Sequence, residues 1–200
     1  MKTFLMEFVG TFFLTLAVAL MSANPLAVGL ILMALVYIGK HISGALYNPT
    51  LVVTAWHRGV LRDKKLFLYL LSQILGSVIS LLFVFYAFKV IFVHPMATEV
   101  HPAVVLVVEI LCGFIFAWVY LSLPQIKESS HISGIVIGLT WAALATLGGL
   151  FNPAIALGST VLELLTGGPE RANLWYLAIF VLGPLVGGFL ATLANEYFND

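Results

Sequence analysis

The chain has 200 residues, of which 62% are hydrophobic and only 9% are charged, and its mean hydropathy is +1.09. Soluble domains are about half apolar and a quarter charged, so this composition predicts an integral membrane protein. The formal net charge of zero offers no basic surface for nucleic acid, and about six spans of roughly twenty residues would leave no room for a soluble domain.

The N-terminal stretch is the first candidate span. It could be mistaken for a secretory signal peptide, but Met21 is large for a cleavage site and Glu7 interrupts the apolar run, so we expect a retained helix. Apolar runs of spanning length, extended where needed by flanking small residues, predict six transmembrane helices at residues 4–22, 26–39, 66–88, 103–123, 132–147 and 174–194.

Two apolar segments remain outside this count, at residues 48–57 and 152–165. They would reach roughly 15 and 21 Å as helices, too short for a hydrocarbon core about 30 Å thick. Each begins with an Asn-Pro step, in which asparagine is a strong helix cap and proline suits the first turn. We therefore predict two re-entrant half-helices. Their glycine-rich approaches must line a cavity, because unsatisfied backbone groups in lipid are costly.

The two halves of the chain correspond to each other. Similar apolar sequences follow Glu7 and Glu109, and the separations from glutamate to asparagine are 41 (Glu7 to Asn48) and 43 (Glu109 to Asn152). We predict one transmembrane domain over residues 1–200 built from a duplication, about 1–95 and about 102–200. Three spans in each half would invert the second relative to the first, so the half-helices would enter from opposite faces and meet near the midplane.

The distribution of cations predicts the orientation. With the N-terminus in the cytoplasm, seven of the nine Lys and Arg residues are cytoplasmic and two are outside. The cytoplasmic group is Lys2, Lys40, Arg58, Arg62, Lys64, Lys65 and Lys127, and the outer pair is Lys89 and Arg171. We expect a multi-pass protein of the cell membrane with both termini in the cytoplasm.

Several short motifs together carry a family resemblance. They are Glu7 with Gly10-Thr11-Phe12-Phe13, Ser43-Gly44-Ala45 before Asn48-Pro49, Gln73 with Gly76, Glu109, Ile137-Gly138-Leu139, Asn152-Pro153-Ala154, and Gly183-Pro184 with Gly187. Through these motifs, the chain resembles the aquaporin (major intrinsic protein) family from about residue 3 to 195. The resemblance implies an all-α membrane channel with six spans and two half-helices, assembled as a homotetramer with one pore per monomer.

The resemblance also implies roles for single residues. Asn48 and Asn152 would point at the passing solute, and Glu7 and Glu109 would accept hydrogen bonds from the backbone of the re-entrant loops. His41 would lie at the cytoplasmic pore mouth, although a plain interface histidine is an equal alternative. The sequence contains no metal-binding or nucleophile motif, so we expect no enzyme, cofactor or metal site.

The two Asn-Pro sites have a physical consequence of their own. Each half-helix N-terminus carries roughly half a positive charge. Two facing termini, with Pro49-Thr50 and Pro153-Ala154 in their first turns, would repel cations and hydrated protons. The asparagine amides can donate to a solute oxygen while an apolar wall opposite offers no partner, so neutral solutes would pass. The alternative is that Asn-Pro merely caps two re-entrant segments of a non-conducting protein.

Three positions depart from the family pattern, and a fourth, Ala145, completes the predicted constriction. Thr50 replaces the usual alanine after the first Asn-Pro, and Ile155 stands where an arginine usually follows Asn-Pro-Ala. Val28 takes the place of a bulky aromatic residue or histidine, and Ala145 is the expected fifth-helix position. A constriction of Val28, Ala145 and Ile155 would be wide and apolar. We therefore predict passage of water together with small uncharged solutes such as glycerol.

Two other functions stay open at this point. An ion- or proton-coupled secondary transporter using Glu7 and Glu109 is compatible with the sequence, because inverted repeats, broken helices and intramembrane carboxylates occur in that class too. A structural membrane protein with a closed pore is the third alternative.

Overall fold

The computed structural model describes residues 1–92, 100–125, 129–167 and 174–199, and the regular structure in these residues is helical throughout. Within these ranges, a 3-10 turn, Leu123–Gln125, accompanies eight α-helices. In chain order these are α1 Lys2–Met21, α2 Pro25–Ser43, α3 Pro49–His57, α4 Asp63–Phe88, α5 Pro102–Ser122, α6 Ser129–Ala145, α7 Pro153–Thr166 and α8 Leu174–Asn199.

Five of the six predicted spans are helices long and apolar enough to cross a membrane: α1, α2, α4, α5 and α8. The sixth, α6, has 17 residues and would reach about 25 Å, which is at the lower limit for a span. It ends at Ala145, two residues before the predicted end, because the chain turns there: Thr146 Oγ1 donates to the Ala143 carbonyl at 2.6 Å, and Gly148 has a φ of +86°.

Both predicted half-helices are present and begin at the predicted Asn-Pro steps. They are α3, with 9 residues, and α7, with 14, or about 14 and 21 Å in length. In each, the asparagine side chain accepts a hydrogen bond from a backbone N–H of the first turn, and proline occupies the position where its missing N–H costs nothing. Asn24-Pro25 starts α2 in the same way.

The helices of the two halves make corresponding contacts. Helix α1 packs against α2 and α4, and α5 packs against α6 and α8. Each half-helix packs mainly against the last helix of the other half, α3 on α8 and α7 on α4. The two halves are also joined by an extensive contact between α2 and α6. This exchange of half-helices surrounds both of them with protein and is consistent with the duplication predicted from the sequence.

Glycines allow the closest of these helix contacts. A Cβ added to Gly29 would collide with the carbonyl oxygen of Gly138, and one added to Gly138 would collide with that of Gly29. The α2–α6 contact is therefore a backbone-to-backbone crossing of the kind that small residues permit in membranes. Gly76 of α4 similarly lies against the backbone of Phe8 in α1.

Candidate functional site

The N-termini of the two half-helices are joined by reciprocal hydrogen bonds. Asn48 Nδ2 donates to the Phe151 carbonyl at 2.8 Å, and Asn152 Nδ2 donates to the Tyr47 carbonyl at 3.0 Å. The Oδ1 atoms meanwhile accept from Thr50 N at 2.8 Å and Ala154 N at 3.1 Å. Each amide nitrogen carries two hydrogens, so one donor per asparagine remains for a further partner.

The chain leading into each half-helix has an unusual backbone conformation. Ala45, Tyr47 and Phe151 have φ values of +54°, +48° and +34°, in the left-handed region that side chains disfavour. Each such residue costs on the order of 1–3 kcal/mol and persists only where its surroundings hold it. Two buried carboxylates provide that support.

Glu7, on α1, holds the approach to α3. Its Oε1 accepts from Ser43 Oγ at 2.6 Å and Leu46 N at 3.1 Å, and its Oε2 accepts from Tyr47 N at 2.8 Å and Gln73 Nε2 at 2.7 Å. The side chain is fully buried. Four donors compensate the cost of keeping this polar group away from water, and because the Leu46 and Tyr47 N–H groups point at Glu7, they fix the orientation of the strained peptides.

Glu109, on α5, holds the approach to α7 with fewer contacts. Oε1 accepts from Leu150 N at 2.6 Å and Oε2 from Phe151 N at 2.8 Å, and this side chain is also fully buried. The sequence explains the difference. Counted from the Asn-Pro step, Leu147 corresponds to Ser43, and counted from the equivalent helix-crossing glycine, Pro184 corresponds to Gln73. The second half therefore lacks the two side-chain donors.

A cavity of about 560 Å³ lies beside the approach to α3 and is called here the Lys40 cavity. It reaches the surface at exposed residues of α2 and of the loops around it. Its walls come from α2, the approach to α3, the ends of α3 and α5, α6 and α8, and include Val36, Lys40, Gly44, Ala45, Leu51, Arg58, Tyr120, Ser133 and Asn195.

A second cavity, of about 260 Å³, lies beside the approach to α7 and is called the Trp141 cavity. It is lined by Trp141 and Ala145 of α6, by residues 148–150, and by Pro25 and Phe92. The Lys40 cavity touches the end of α2 and the Trp141 cavity its beginning, so the two cavities lie at opposite ends of this helix. Each approach leads to one asparagine of the pair: Asn48 caps α3 and Asn152 caps α7.

The predicted constriction residues have different environments. Ala145 lines the Trp141 cavity, whereas Val28 and Ile155 are fully buried and line neither of these two cavities. Val28 precedes the Gly29 crossing, and Ile155 lies in the first turn of α7, where its N–H bonds to the Asn152 carbonyl. Thr50 is buried in the first turn of α3, and its Oγ1 has no partner among the described residues.

His41 is exposed and does not line the Lys40 cavity, whereas its neighbour Lys40 does. Lys40 Nζ donates to Ser133 Oγ at 2.7 Å, which connects α2 to α6 across the cavity wall. Arg58 forms an ion pair with Glu196 at 3.1 Å at the same cavity. Of the cations used to predict orientation, Lys127 and Arg171 lie outside the described residues.

Trp141 is a candidate that the sequence analysis missed. Its side chain is 4% exposed, its ring lies 5.8 Å from that of Phe151, and its Nε1 has no partner among the described residues, although a buried indole N–H usually has one. It precedes Ala145 by one helical turn, so both face the same cavity. In the sequence, a single tryptophan in the apolar run between Gly138 and Gly148 could have indicated this candidate.

Comparison with known proteins agrees with this arrangement. The family model for "Major intrinsic protein" matches residues 1–195. Aquaporin AqpM from Methanothermobacter marburgensis is 27% identical over all of this chain and 98% of its own length. Glycerol uptake facilitator protein-like 6 from Lactiplantibacillus plantarum is 26% identical over all of this chain and 99% of its own.

Among solved structures, the aquaglyceroporin from Plasmodium falciparum superposes with a TM-score of 0.81 at 18% identity, covering 99% of this chain and 96% of that one. This likeness shows that the two proteins share a fold. Because the family model extends over nearly the whole chain, including both asparagine sites, the chain belongs to the major intrinsic protein family, a family of membrane channels.

Proposed function

We propose that the protein is a passive channel for water and small uncharged solutes such as glycerol. The observation that carries this proposal is the reciprocal pairing of Asn48 and Asn152, which joins two helix N-termini between cavities at opposite ends of α2. A solute would enter the Lys40 cavity, pass the remaining asparagine N–H donors, and leave through the Trp141 cavity. The named relatives, an aquaporin and a glycerol uptake facilitator, support this class of solute.

The asparagine pair would also exclude cations. Each half-helix N-terminus contributes roughly half a positive charge, and the two lie together at the centre of the path. A neutral solute gains hydrogen bonds from the amides, whereas a cation meets a positive potential and loses its water shell. The carboxylates Glu7 and Glu109 do not line either cavity, and their oxygens are occupied by the loops. This observation favours a supporting role over a proton relay in a coupled transporter.

We propose that selectivity is set near the Trp141 cavity by Val28, Ala145, Ile155 and Trp141. Ile155 supplies no charge and no donor where the family usually has arginine. A solute with an apolar carbon backbone is therefore tolerated there. Trp141 restricts the same region from α6, and its Nε1–H can donate to a solute oxygen. Together these residues favour small polyols that present an apolar edge and a few hydroxyl groups.

The location in the membrane follows from the same reasoning. We propose that the Lys40 cavity faces the cytoplasm, because Lys40 and Arg58 line it and the positive-inside rule places such residues there. Lys89, at the far end of α4, would be outside. The exposed apolar helix faces would contact lipid and neighbouring copies in a homotetramer, as the family resemblance implies.

Stopped-flow light scattering on proteoliposomes tests the proposal. We expect shrinkage in hyperosmotic sucrose to be faster than in empty vesicles, re-swelling in glycerol to be faster as well, and an internal pH dye to report no added proton leak. Leu30→Ala, at a lipid-facing position, is a matched control that should leave these rates unchanged. Shrinkage no faster than in empty vesicles would refute the proposal, and uptake that depends on a proton gradient would favour a transporter.

A further inference from the structure

The two cavities differ in their charge. The Trp141 cavity has no ionisable side chain among its described lining residues, whereas Lys40 and Arg58 both line the Lys40 cavity. No carboxylate is among the described residues that line the Lys40 cavity. Glu196 forms an ion pair with Arg58 but does not itself line the cavity. The Arg58–Glu196 pair is close to neutral, so Lys40 gives this cavity a net positive charge.

The Lys40 cavity also contains a buried donor without an acceptor. Asn195 of α8 is 1% exposed and lines the cavity, and its Nδ2 has no partner among the described residues. A buried donor without a partner is energetically unfavourable, so the site favours a ligand that can accept a hydrogen bond from it. Lys40 Nζ has three hydrogens, of which one is donated to Ser133 Oγ.

The geometry of these donors selects a type of ligand. Lys40 projects from α2 and Asn195 from α8, on different walls of a cavity whose volume equals that of a sphere about 10 Å across. A phosphate group has three terminal oxygens that accept hydrogen bonds from several directions, whereas a planar carboxylate has two. The volume also accommodates a small organic group attached to the phosphate.

We propose that the Lys40 cavity binds an anionic phosphate group, held by Lys40 and Asn195, and that its occupation closes the solute path from this side. Past the asparagine pair, the buried, apolar Val28 and Ile155 would offer a phosphate no side-chain donor, so it would not cross to the far side. The closing step rests on the proposed channel function, but the binding step does not. The phosphate group can belong to a soluble phosphate monoester or to the headgroup of an anionic lipid.

Binding is tested with the full chain in nanodiscs of phosphatidylcholine, titrated with inorganic phosphate by equilibrium dialysis. We expect saturable binding of one phosphate per chain. Lys40→Met and Asn195→Asp should each weaken it at least about tenfold, since charge-assisted hydrogen bonds are lost. Lys64→Met removes an exposed lysine of α4 that does not line the cavity and should leave binding unchanged. Ser133→Ala frees Lys40 without removing charge and should preserve binding.

Unsaturable binding, or an equal loss in Lys64→Met and Lys40→Met, would overturn the site, because either result indicates general surface charge. Both of these binding results can be obtained whether or not the protein conducts solutes. Thermal unfolding of each variant checks that it is folded. If Asn195→Asp is unfolded, phosphate binding by Lys40→Met is sufficient to test the site, because Lys40 is exposed.

Flux measurements then test closure and identify the source of the phosphate. In phosphatidylcholine vesicles, adding inorganic phosphate to both sides should lower the glycerol flux of the unmodified chain. The same addition should not change the glycerol flux of Lys40→Met. Inhibition by phosphate in these vesicles indicates a soluble ligand. Inhibition only when phosphatidic acid is added to the bilayer indicates a lipid headgroup. Full glycerol flux under both conditions, in a chain that binds phosphate, would overturn the closing step.

Discussion

Truncation of Glu7 should destabilise the protein by more than truncation of Glu109. Both alanine variants lose two backbone anchors and leave a similar space. Glu7→Ala additionally leaves Ser43 Oγ and Gln73 Nε2, at 2.6 and 2.7 Å from the carboxylate, without their acceptor. A buried donor left unpaired costs about 1–3 kcal/mol, and the Ser43 hydroxyl can rotate, so the difference in the free energy of unfolding should be about 2–4 kcal/mol.

The difference can be measured by unfolding each variant with SDS in mixed micelles while helix content is followed by circular dichroism. Ser43→Ala and Gln73→Leu, introduced together into Glu7→Ala, remove the two unpaired donors and should recover most of the difference, as in a double-mutant cycle. The same pair of substitutions in Glu109→Ala should give no such recovery. Equal destabilisation by the two truncations, or a larger loss for Glu109→Ala, would refute the reasoning.

Three further predictions concern packing and selectivity. Gly29→Ala must separate α2 from α6 and should cost about 1–3 kcal/mol in the same unfolding assay; no loss would contradict the backbone crossing. Trp141→Ala should widen the Trp141 cavity and admit polyols larger than glycerol in vesicle re-swelling, whereas Trp141→Phe should keep the size limit; an unchanged limit in Trp141→Ala would place the constriction elsewhere. Ile155→Arg should reduce glycerol flux more than water flux, and unchanged glycerol flux would show that Ile155 is not at the constriction.

Local sequence was enough to predict the half-helices. An asparagine cap followed by proline determines where a helix begins through interactions within a few residues, so α3 and α7 start at the predicted steps. The spans were also predictable, because the thickness of the bilayer determines the length and apolar content that a span needs. The end of α6 was misplaced by two residues, since the turn at Thr146 depends on local hydrogen bonds that hydropathy does not detect.

The lining of the cavities was harder to predict. Ala145 was predicted at the constriction and lines the Trp141 cavity, whereas Trp141, one helical turn before it, was not predicted, because its place depends on the packing of its ring against Phe151 in the loop before α7. At the other cavity, His41 and Lys40 are adjacent in sequence but diverge by about 100° on a helix, and Lys40 is the residue that lines it. Such distinctions depend on contacts between distant segments and not on composition.

The reciprocal asparagine bonds have a consequence for how the protein is made. They join residues 103 and 105 positions apart in the chain, Asn48 to Phe151 and Tyr47 to Asn152. While a ribosome is still synthesising the second half, α3 has no acceptor for its asparagine amide, and the Tyr47 carbonyl has no donor. The centre of the protein can therefore be completed only after residue 152 has entered the membrane. A nascent first half would need water, lipid headgroups or the insertion machinery to satisfy these groups until then.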